Sequence, residues 1–592
     1  MKDNDVEIGI PHRLAHLPLV VDVLKRTGLL NFLDEVIRED PRSKVSTSEC
    51  VAVLLCGVMC GHHDLWRMAD RLGSYDMATI MQDPGFLLSE FTEERLAKAL
   101  DDLYAANLDK LMTHVALETV RQFRLGTDFL HFDTTSLVMY GAYEREDFSS
   151  VMSTIAGSHP VEVTYGYSKD RRGDLKQIMF GSLVSRDGGV PLYGKALDGN
   201  RSDTHAAAEF FQKVRSLVRD PREVCCVADS KGWSAPVLDV IQRENLRLLS
   251  RLPRNHSIHH QIMAMTEAAV RVIERPPRKK NEEPDVYEIM GVDIDEQLSL
   301  TEPHGGGKRT RKIVVPARAV RVFSTRLWRK KIKGLKGTRA VENKKAKKQI
   351  REWKARAYVC REDAEREATR QMANHGFVTI DISATVRKVD GPMKRGRGRP
   401  RKIAEPELAQ SHFVIDHTFD EVPQEESEER LREAATFVLI RTRSKDWVID
   451  DEDLIDRYRG QYHNEHGFAW LKSGSANKGL NPIYLETPHR IEALCFVYLI
   501  GLMIWSLIQR TVRGYLTENG TGLPYHRNKP SDRITTRFFF ELFPKLQTVP
   551  YRLPGQDWQK KIAGLDDTLM LACQALGTPL TALSPVMENR PR

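Results

Sequence analysis

Between Lys308 and Arg356 the chain carries twenty Lys or Arg against two acids, Glu342 and Glu352, a local charge of +18. No core can take up such a segment, because unpaired charges are expensive to bury. Apolar strands and helices lie on both sides of it, so the chain must fold as a core that is interrupted. The net charge over all 592 residues is only +8, which leaves −10 for everything outside the segment. One block is built to meet a polyanion and the remainder is not. That remainder is not disordered: with 41% hydrophobic residues and room for domains of about 150 residues each, the chain can bury several cores.

Eight cysteines without a CxxC pair suit neither a disulfide framework nor zinc, and read as small core residues of a reducing compartment. The start, MKDNDVEIGIPHR, mixes acids and bases and has no apolar run of a secretory signal. The most apolar stretch, Ala493 to Trp505, is thirteen residues long. A membrane span needs about 20, so this stretch is expected to be a buried core helix, in a chain with no membrane partner. These features together predict a cytoplasmic protein.

Residues 1–126 carry helical periodicity almost throughout. Leu17, Val20, Val21 and Leu24 share one helical face, Ser46 with Glu49 can box the start of a second helix, and Thr92 opens a third running toward Phe123. An all-α domain is expected there. Over 127–252 the texture changes to short apolar runs, FLHFD, LKQIMFGSLVS and VPLYGKAL, followed by alternating helix and strand patterns, which predicts an α/β layer. Residues 253–434 break this rhythm with basic, β-prone and then acidic stretches and are read as an insertion. Residues 435–512 resume the layer with the strand FVLIRTRS and helices, and 513–592 read as a helical tail and candidate dimerisation element.

Three acids occupy positions that a metal site would use. Asp133 closes FLHFD before a polar turn, and Asp229 closes EVCCVAD before Ser230-Lys231-Gly232. Ligands in open α/β sheets lie at such strand ends, and two of them on adjacent strands would offer hard oxygens suited to Mg²⁺ or Mn²⁺. The plain alternative is a turn or cap residue at each position. The third acid, Glu465, lies seven residues after Tyr458 and seven before Lys472, with Tyr462 and Ala469 between, so all five fall on one helical stripe. Either that stripe faces a site, or it is the solvent side of a boundary helix.

Asp133 in FDTTS, Asp229 in VADSKGW, the spacing Tyr458-x2-Gln461-x3-Glu465-x6-Lys472, and the segments GYSKDRRGDLKQ and PLYGKALDGNRSD resemble the DDE transposases of bacterial insertion sequences. The likeness is to the branch with the Y-x2-R-x3-E-x6-K signature, and it extends from about residue 12 to 510. The resemblance implies an RNase H-like catalytic core interrupted by a basic, β-containing insertion and preceded by the all-α domain. It implies that Asp133, Asp229 and Glu465 bind two Mg²⁺ ions, with Mn²⁺ able to substitute, for in-line phosphoryl transfer. Tyr458 and Lys472 would contact phosphates of the transposon end, and Gln461 stands where the signature has Arg, which removes a charge from that contact. Trp233 is either a stacking platform for an extruded base or a core residue. The implied partners are double-stranded DNA, as terminal inverted repeats and target, and a second copy of the chain in a synaptic complex. The implied location is the prokaryotic nucleoid. An inactive relative acting by occupancy, or another RNase H-like nuclease such as a junction resolvase, are the competing readings.

The basic block contains Trp328 and Trp353, a mixture fitted to DNA backbone contact with some stacking. KRGRGRPRK resembles an AT-hook, which would bring Arg397 and Arg399 into a narrow minor groove. GGGKRT lacks the first glycine of a P-loop, so no ATP requirement is implied.

Overall fold

The computed structural model describes residues 6–62, 64–141, 143, 159–169, 172–265, 270–277, 283–304, 307–354, 356–373, 377–391, 411–473, 483, 485–525 and 529–587. They form two compact units, one of Met1–Pro253, Asp293–Arg318 and Ile440–Arg592, the other of Arg254–Val292 and Ala319–Leu439.

The first unit opens with helices α1 (Leu17–Arg26), α2 (Leu29–Val36) and α3 (Thr47–Met59), then α4 (Glu93–Ala105) and α5 (Leu108–Phe123). The expected capping box is formed at α3: the Ser46 hydroxyl accepts from Glu49 N–H at 3.1 Å while Ser46 N–H donates to the Glu49 carboxylate at 2.6 Å. The third predicted helix is in fact two. Asn107, at φ +71°, breaks the run and caps α5 by accepting from Lys110 N–H.

The sheet begins with β1 (Phe129–Val138), β2 (Gln177–Ser185) and β3 (Pro191–Leu197), an antiparallel set. Helix α6 (Asp203–Leu217) leads to β4 (Cys225–Ala228), and α7 (Ala235–Arg243) to β5 (Arg247–Arg251); β1, β4 and β5 are parallel. Strands β6 (Asp285–His304), β7 (Gly307–Ser324) and β8 (Thr436–Thr442) extend it in the order β3-β2-β1-β4-β5-β8-β7-β6. The result is a mixed α/β architecture around a large mixed sheet. Helices α8 (Asp451–Arg459), α9 (Tyr462–Ser473) and α10 (Pro488–Glu518) follow.

Helix α10 settles how these parts assemble. Its 31 residues include an eighteen-residue window long and apolar enough to cross a membrane, and that window is 89% buried inside the protein. A helix apolar all round must be covered all round. Here α3, α4 and α5 cover one side, while β3 and α9 pack on it as well. Residues 1–126 therefore share a core with the sheet and are not a separate domain, contrary to the expectation from their helical texture. A fork from Arg490 to Asp101, at 2.7 and 2.8 Å, ties α10 to α4. Burial works against the Asp101 charge, but Arg490 and His489 hold its carboxyl down at about 2.

The region after α10 also differs from a helical tail. It forms strands Gln547–Arg552 and Gln559–Ala563, and the first of these pairs with Glu7–Ile8 and with His12–Arg13. The two ends of the described chain thus meet in one small sheet. Asp76 seals it: the buried carboxylate accepts from Thr548 Oγ1 at 2.6 Å and lies 3.0 Å from Lys560 Nζ.

In the second unit, Ile380–Asp390 and Ser411–Glu421 form a long antiparallel ribbon extended by Ala357–Tyr358. The basic helix Leu335–Trp353 lays Ala346 and Ile350 against Ile380 and Ile382, and Trp353 packs into the same cluster. Its charge does not prevent it from having an apolar face.

Candidate active site

Strands β1 and β4 run parallel with Phe129 opposite Cys225, Leu130 opposite Cys226 and His131 opposite Val227. The same offset sets Asp133 opposite Asp229, the residue just after β4 ends. Side chains at matched positions of parallel neighbours emerge on one face, about 5 Å apart. Asp133 does not close its strand, as the sequence suggested: β1 continues to Val138, held by β2 on its other side. It stands where β1 loses β4 as a neighbour, so the sheet opens at that carboxylate.

Asp229 is exposed on a tight turn. Its carboxylate accepts from Lys231 N–H at 2.8 Å, and its carbonyl accepts from Ser250 Oγ at 2.6 Å. Gly232 is required by this turn, since a Cβ there would lie 2.6 Å from the Ala228 Cβ. Asp133, Asp229, Asp203 and Lys231 line one small crevice.

Burial pushes the Asp133 carboxyl up to about 6; Lys169 and the Thr134 N–H oppose the shift, and the charges of Asp229 and Asp203 add to it. Paired hard oxygens in such surroundings fit a divalent cation, and Asp133 with Asp229 are the residues that can hold it. Among the described residues no three His, Cys, Asp or Glu side chains converge closely enough to hold an ion.

Glu465 is on α9, which two amides fasten to β1. Asn464 Nδ2 donates to His131 O at 2.9 Å and its Oδ1 accepts from Ser182 Oγ at 2.7 Å; Gln461 Nε2 donates to Phe132 O at 2.7 Å. Burial drives the His131 imidazole down to about 3, so the ring is neutral where it faces Gln461 Oε1 at 3.3 Å. Gly460 permits this approach, because a Cβ there would be 2.4 Å from His131 Nε2. The amide at the position where the signature has Arg is thus spent on the strand that carries Asp133.

The expected five-residue stripe is broken. From Gly460 to Asn464 the backbone bonds run i→i+3, which turns each residue about 120° instead of 100°. Tyr458 consequently drops out of phase and is half-buried, while Tyr462, Glu465 and Ala469 keep an exposed face and Lys472 is partly buried beside it. Burial pushes the Tyr458 phenol up; Arg251 counteracts, and the carboxylates of Asp229, Asp133 and Glu465 add to the shift.

Trp233 offers no ring face for a base. It is 3% exposed and its indole N–H donates to the Glu296 carboxylate, so the core reading holds. The exposed aromatic side chains of the segment leading to Lys169 are Tyr165 and Tyr167, at 59% and 89% exposure. Trp328 and Trp353 are likewise taken up by the second unit, Trp328 through an N–H bond to Glu428 O at 3.0 Å. Arg397 and Arg399 lie outside the described residues.

Sequence reasoning passed over Lys169 and Asp203. Lys169 Nζ donates to Thr134 O at 2.6 Å, and Thr134 Oγ1 donates to Asp203 Oδ1 at 2.5 Å. Both residues stand inside segments already singled out as blocks, GYSKDRRGDLKQ and PLYGKALDGNRSD, and the signal was a charged residue beside turn formers in each.

The basic block divides by residue type. Arg318 forks onto buried Asp451 at 2.6 Å in the first unit, and in the second Arg329 meets Glu283 at 2.7 Å and Arg339 donates to Val422 O at 2.9 Å. Lys330, Lys331, Lys333, Lys336, Lys344, Lys345 and Lys347 are exposed on helices Thr325–Lys333 and Leu335–Trp353.

Residues 10–117 match a protein family described only as a domain of unknown function, DUF4277. No curated protein matches the chain. Among solved structures the chain is similar to a piggyBac transposase, studied by cryo-EM in a synaptic complex with hairpin DNA, at 9% identity over 90% of this chain and 81% of that one, with a TM-score of 0.33. It is also similar to the Mos1 transposase in a paired-end complex with its left transposon end, at 12% identity over 38% of this chain and 63% of that one, with a TM-score of 0.14.

Proposed function

We propose that this chain is a DDE transposase that cleaves DNA at the terminal inverted repeats of an insertion sequence and joins the ends to target DNA. The observation that carries the reading is the register of β1 and β4, which sets Asp133 and Asp229 side by side at the point where the sheet opens. A sheet of three antiparallel strands continued by parallel strands through helices supports an RNase H-like core. Asp133, Asp229 and Glu465 are the proposed ligands of two Mg²⁺ ions. Bound there, divalent cations supply activation of a water or 3′-hydroxyl and charge compensation at the leaving oxygen.

The chain's own residues do the rest. Gln461 and Asn464 hold the start of α9, the helix that carries Glu465, against β1, the strand that carries Asp133. Lys231 offers positive charge to phosphates at the crevice, and Tyr167 offers an exposed ring in the segment that leads to Lys169. The exposed lysines of Thr325–Lys333 and Leu335–Trp353 track the DNA backbone without reading sequence. Tyr458 and Lys472 serve the transposon end, the helices before residue 126 take part in end recognition, and two copies of the chain hold two ends in the nucleoid. ATP has no part in the scheme.

Metal-dependent nicking of repeat-bearing DNA by the wild type, lost in Asp229→Ala with DNA binding retained, is the expected result; equal nicking by both proteins sinks the reading. One observation favours a second reading, a DNA-binding relative acting by occupancy: Glu465 is exposed, and no three-donor group exists among the described residues. Absence of nicking by the wild type, with tight and selective binding to the repeats, decides for it.

A further inference from the structure

The Lys169 ammonium stands 3.8 Å from Asp133 Oδ1 and 3.6 Å from Asp203 Oδ1. Its hydrogen bonds go elsewhere, to the Thr134 carbonyl at 2.6 Å and the Thr134 hydroxyl at 2.7 Å. That hydroxyl donates to Asp203 Oδ1 at 2.5 Å, and the Thr134 N–H donates to Asp133 Oδ1 at 2.8 Å. The backbone of Lys169 is itself pinned, its N–H donating to Ser136 Oγ at 3.0 Å. A lysine on an open surface would close on a carboxylate and move away when a better cation arrived. This one, although exposed, gives its hydrogen bonds to the neutral Thr134 oxygens and stands at the outer limit of ion-pair distance from two carboxylates.

We propose that Lys169 and Asp203 are positioning residues that set the cation affinity of Asp133. Thr134 bonds Asp203, the ammonium and the Asp133 carboxylate, and the ammonium held there repels a divalent cation approaching Asp133. Free protein then binds the cation weakly, and the phosphate oxygens of bound DNA are needed to complete the site. The proposal rests on the reading of Asp133 as a cation ligand. It predicts effects of opposite sign: removing the ammonium tightens binding, and removing the Asp203 charge weakens it, because nearby charges act on the same ion through Coulomb's law.

The test is a titration of the full-length chain with Mn²⁺ in the absence of DNA, with free ion counted by electron paramagnetic resonance. Wild type is expected to bind Mn²⁺ in a manner lost in Asp133→Ala. Lys169→Gln should bind about tenfold more tightly, Asp203→Asn several-fold more weakly, and Lys169→Arg within about twofold of wild type. If Lys169→Gln binds equally or less tightly while Asp133→Ala still abolishes binding, the positioning role is overturned and the cation reading stands. If wild type and Asp133→Ala bind alike, both fall. Should Lys169→Gln fail to fold, Asp203→Asn carries the test alone, and unchanged or tighter binding by it overturns the proposal.

Discussion

The crevice at Asp133 and the helices from Thr325 to Trp353 are two charged regions of the molecule, and they use charge in different ways. In the crevice a few groups are partly desolvated and each is held by named atoms, so that Thr134 alone touches Lys169, Asp203 and Asp133. On the helices eight lysines are exposed, Lys348 at the edge of ion-pair distance from Glu352, and their sum is what matters. Several arginines of the same block behave like the crevice: Arg318 spends its fork on buried Asp451, and Arg329 and Arg339 are held in the second unit. Planar guanidinium suits fixed pairing and the compact ammonium suits a hydrated surface, so residue type within one basic block separates structure from binding.

The sharpest way to break this contrast is at the crevice. Asp229→Ala should lower cleavage roughly a hundredfold to a thousandfold while leaving DNA affinity within about twofold, as measured by nicking and by filter binding. Reversing Lys330, Lys331 and Lys333 to Glu should do the opposite, weakening DNA binding about ten- to a hundredfold and flattening the log–log salt dependence by about 2.7, at about 0.9 per phosphate contact. A slope that does not move would show those lysines to be bystanders. A third measurement concerns stability. The Asp133 carboxyl is raised to about 6 in the folded chain, above its value when unfolded, so stability is lost as pH rises from about 4 through 6. Asp133→Asn should accordingly stabilise the metal-free protein at pH 7 by about 1–2 kcal/mol and have no effect below pH 4, in urea unfolding followed by circular dichroism. The smallest effect is expected at Gln461→Ala, a loss of about 1 kcal/mol from the unmade bond to Phe132 O, accompanied by a lower cleavage rate.

Local features were legible in the chain: the Ser46 box, the strand that carries Asp133 and the one that ends just before Asp229, and the apolar helix that became α10. Periodicity reports a residue's neighbours within a turn or two, and it missed what depends on distant partners. Nothing local in residues 17–123 says that their apolar faces meet α10 some 400 residues later, as Thr119 meets Met503 at 3.5 Å. The stripe through Glu465 failed for a subtler reason. His131 presses on Gly460, and the tight turn formed there rotates Tyr458 away from the exposed face. Trp233 was undecidable until its partner Glu296, sixty-three residues away, was in view.

The small sheet joining Glu7–Ile8 and His12–Arg13 to Gln547–Arg552 has a consequence for how the protein is made. A ribosome adds about 5–20 residues each second, so the opening strands wait roughly half a minute or more for the strand that completes them. The helices of residues 17–123 wait almost as long for α10. A truncated product ending just past the basic block would carry the lysines and both aspartates, yet lack the helix that covers its apolar surfaces. Chaperones and proteases would meet such a product before DNA did.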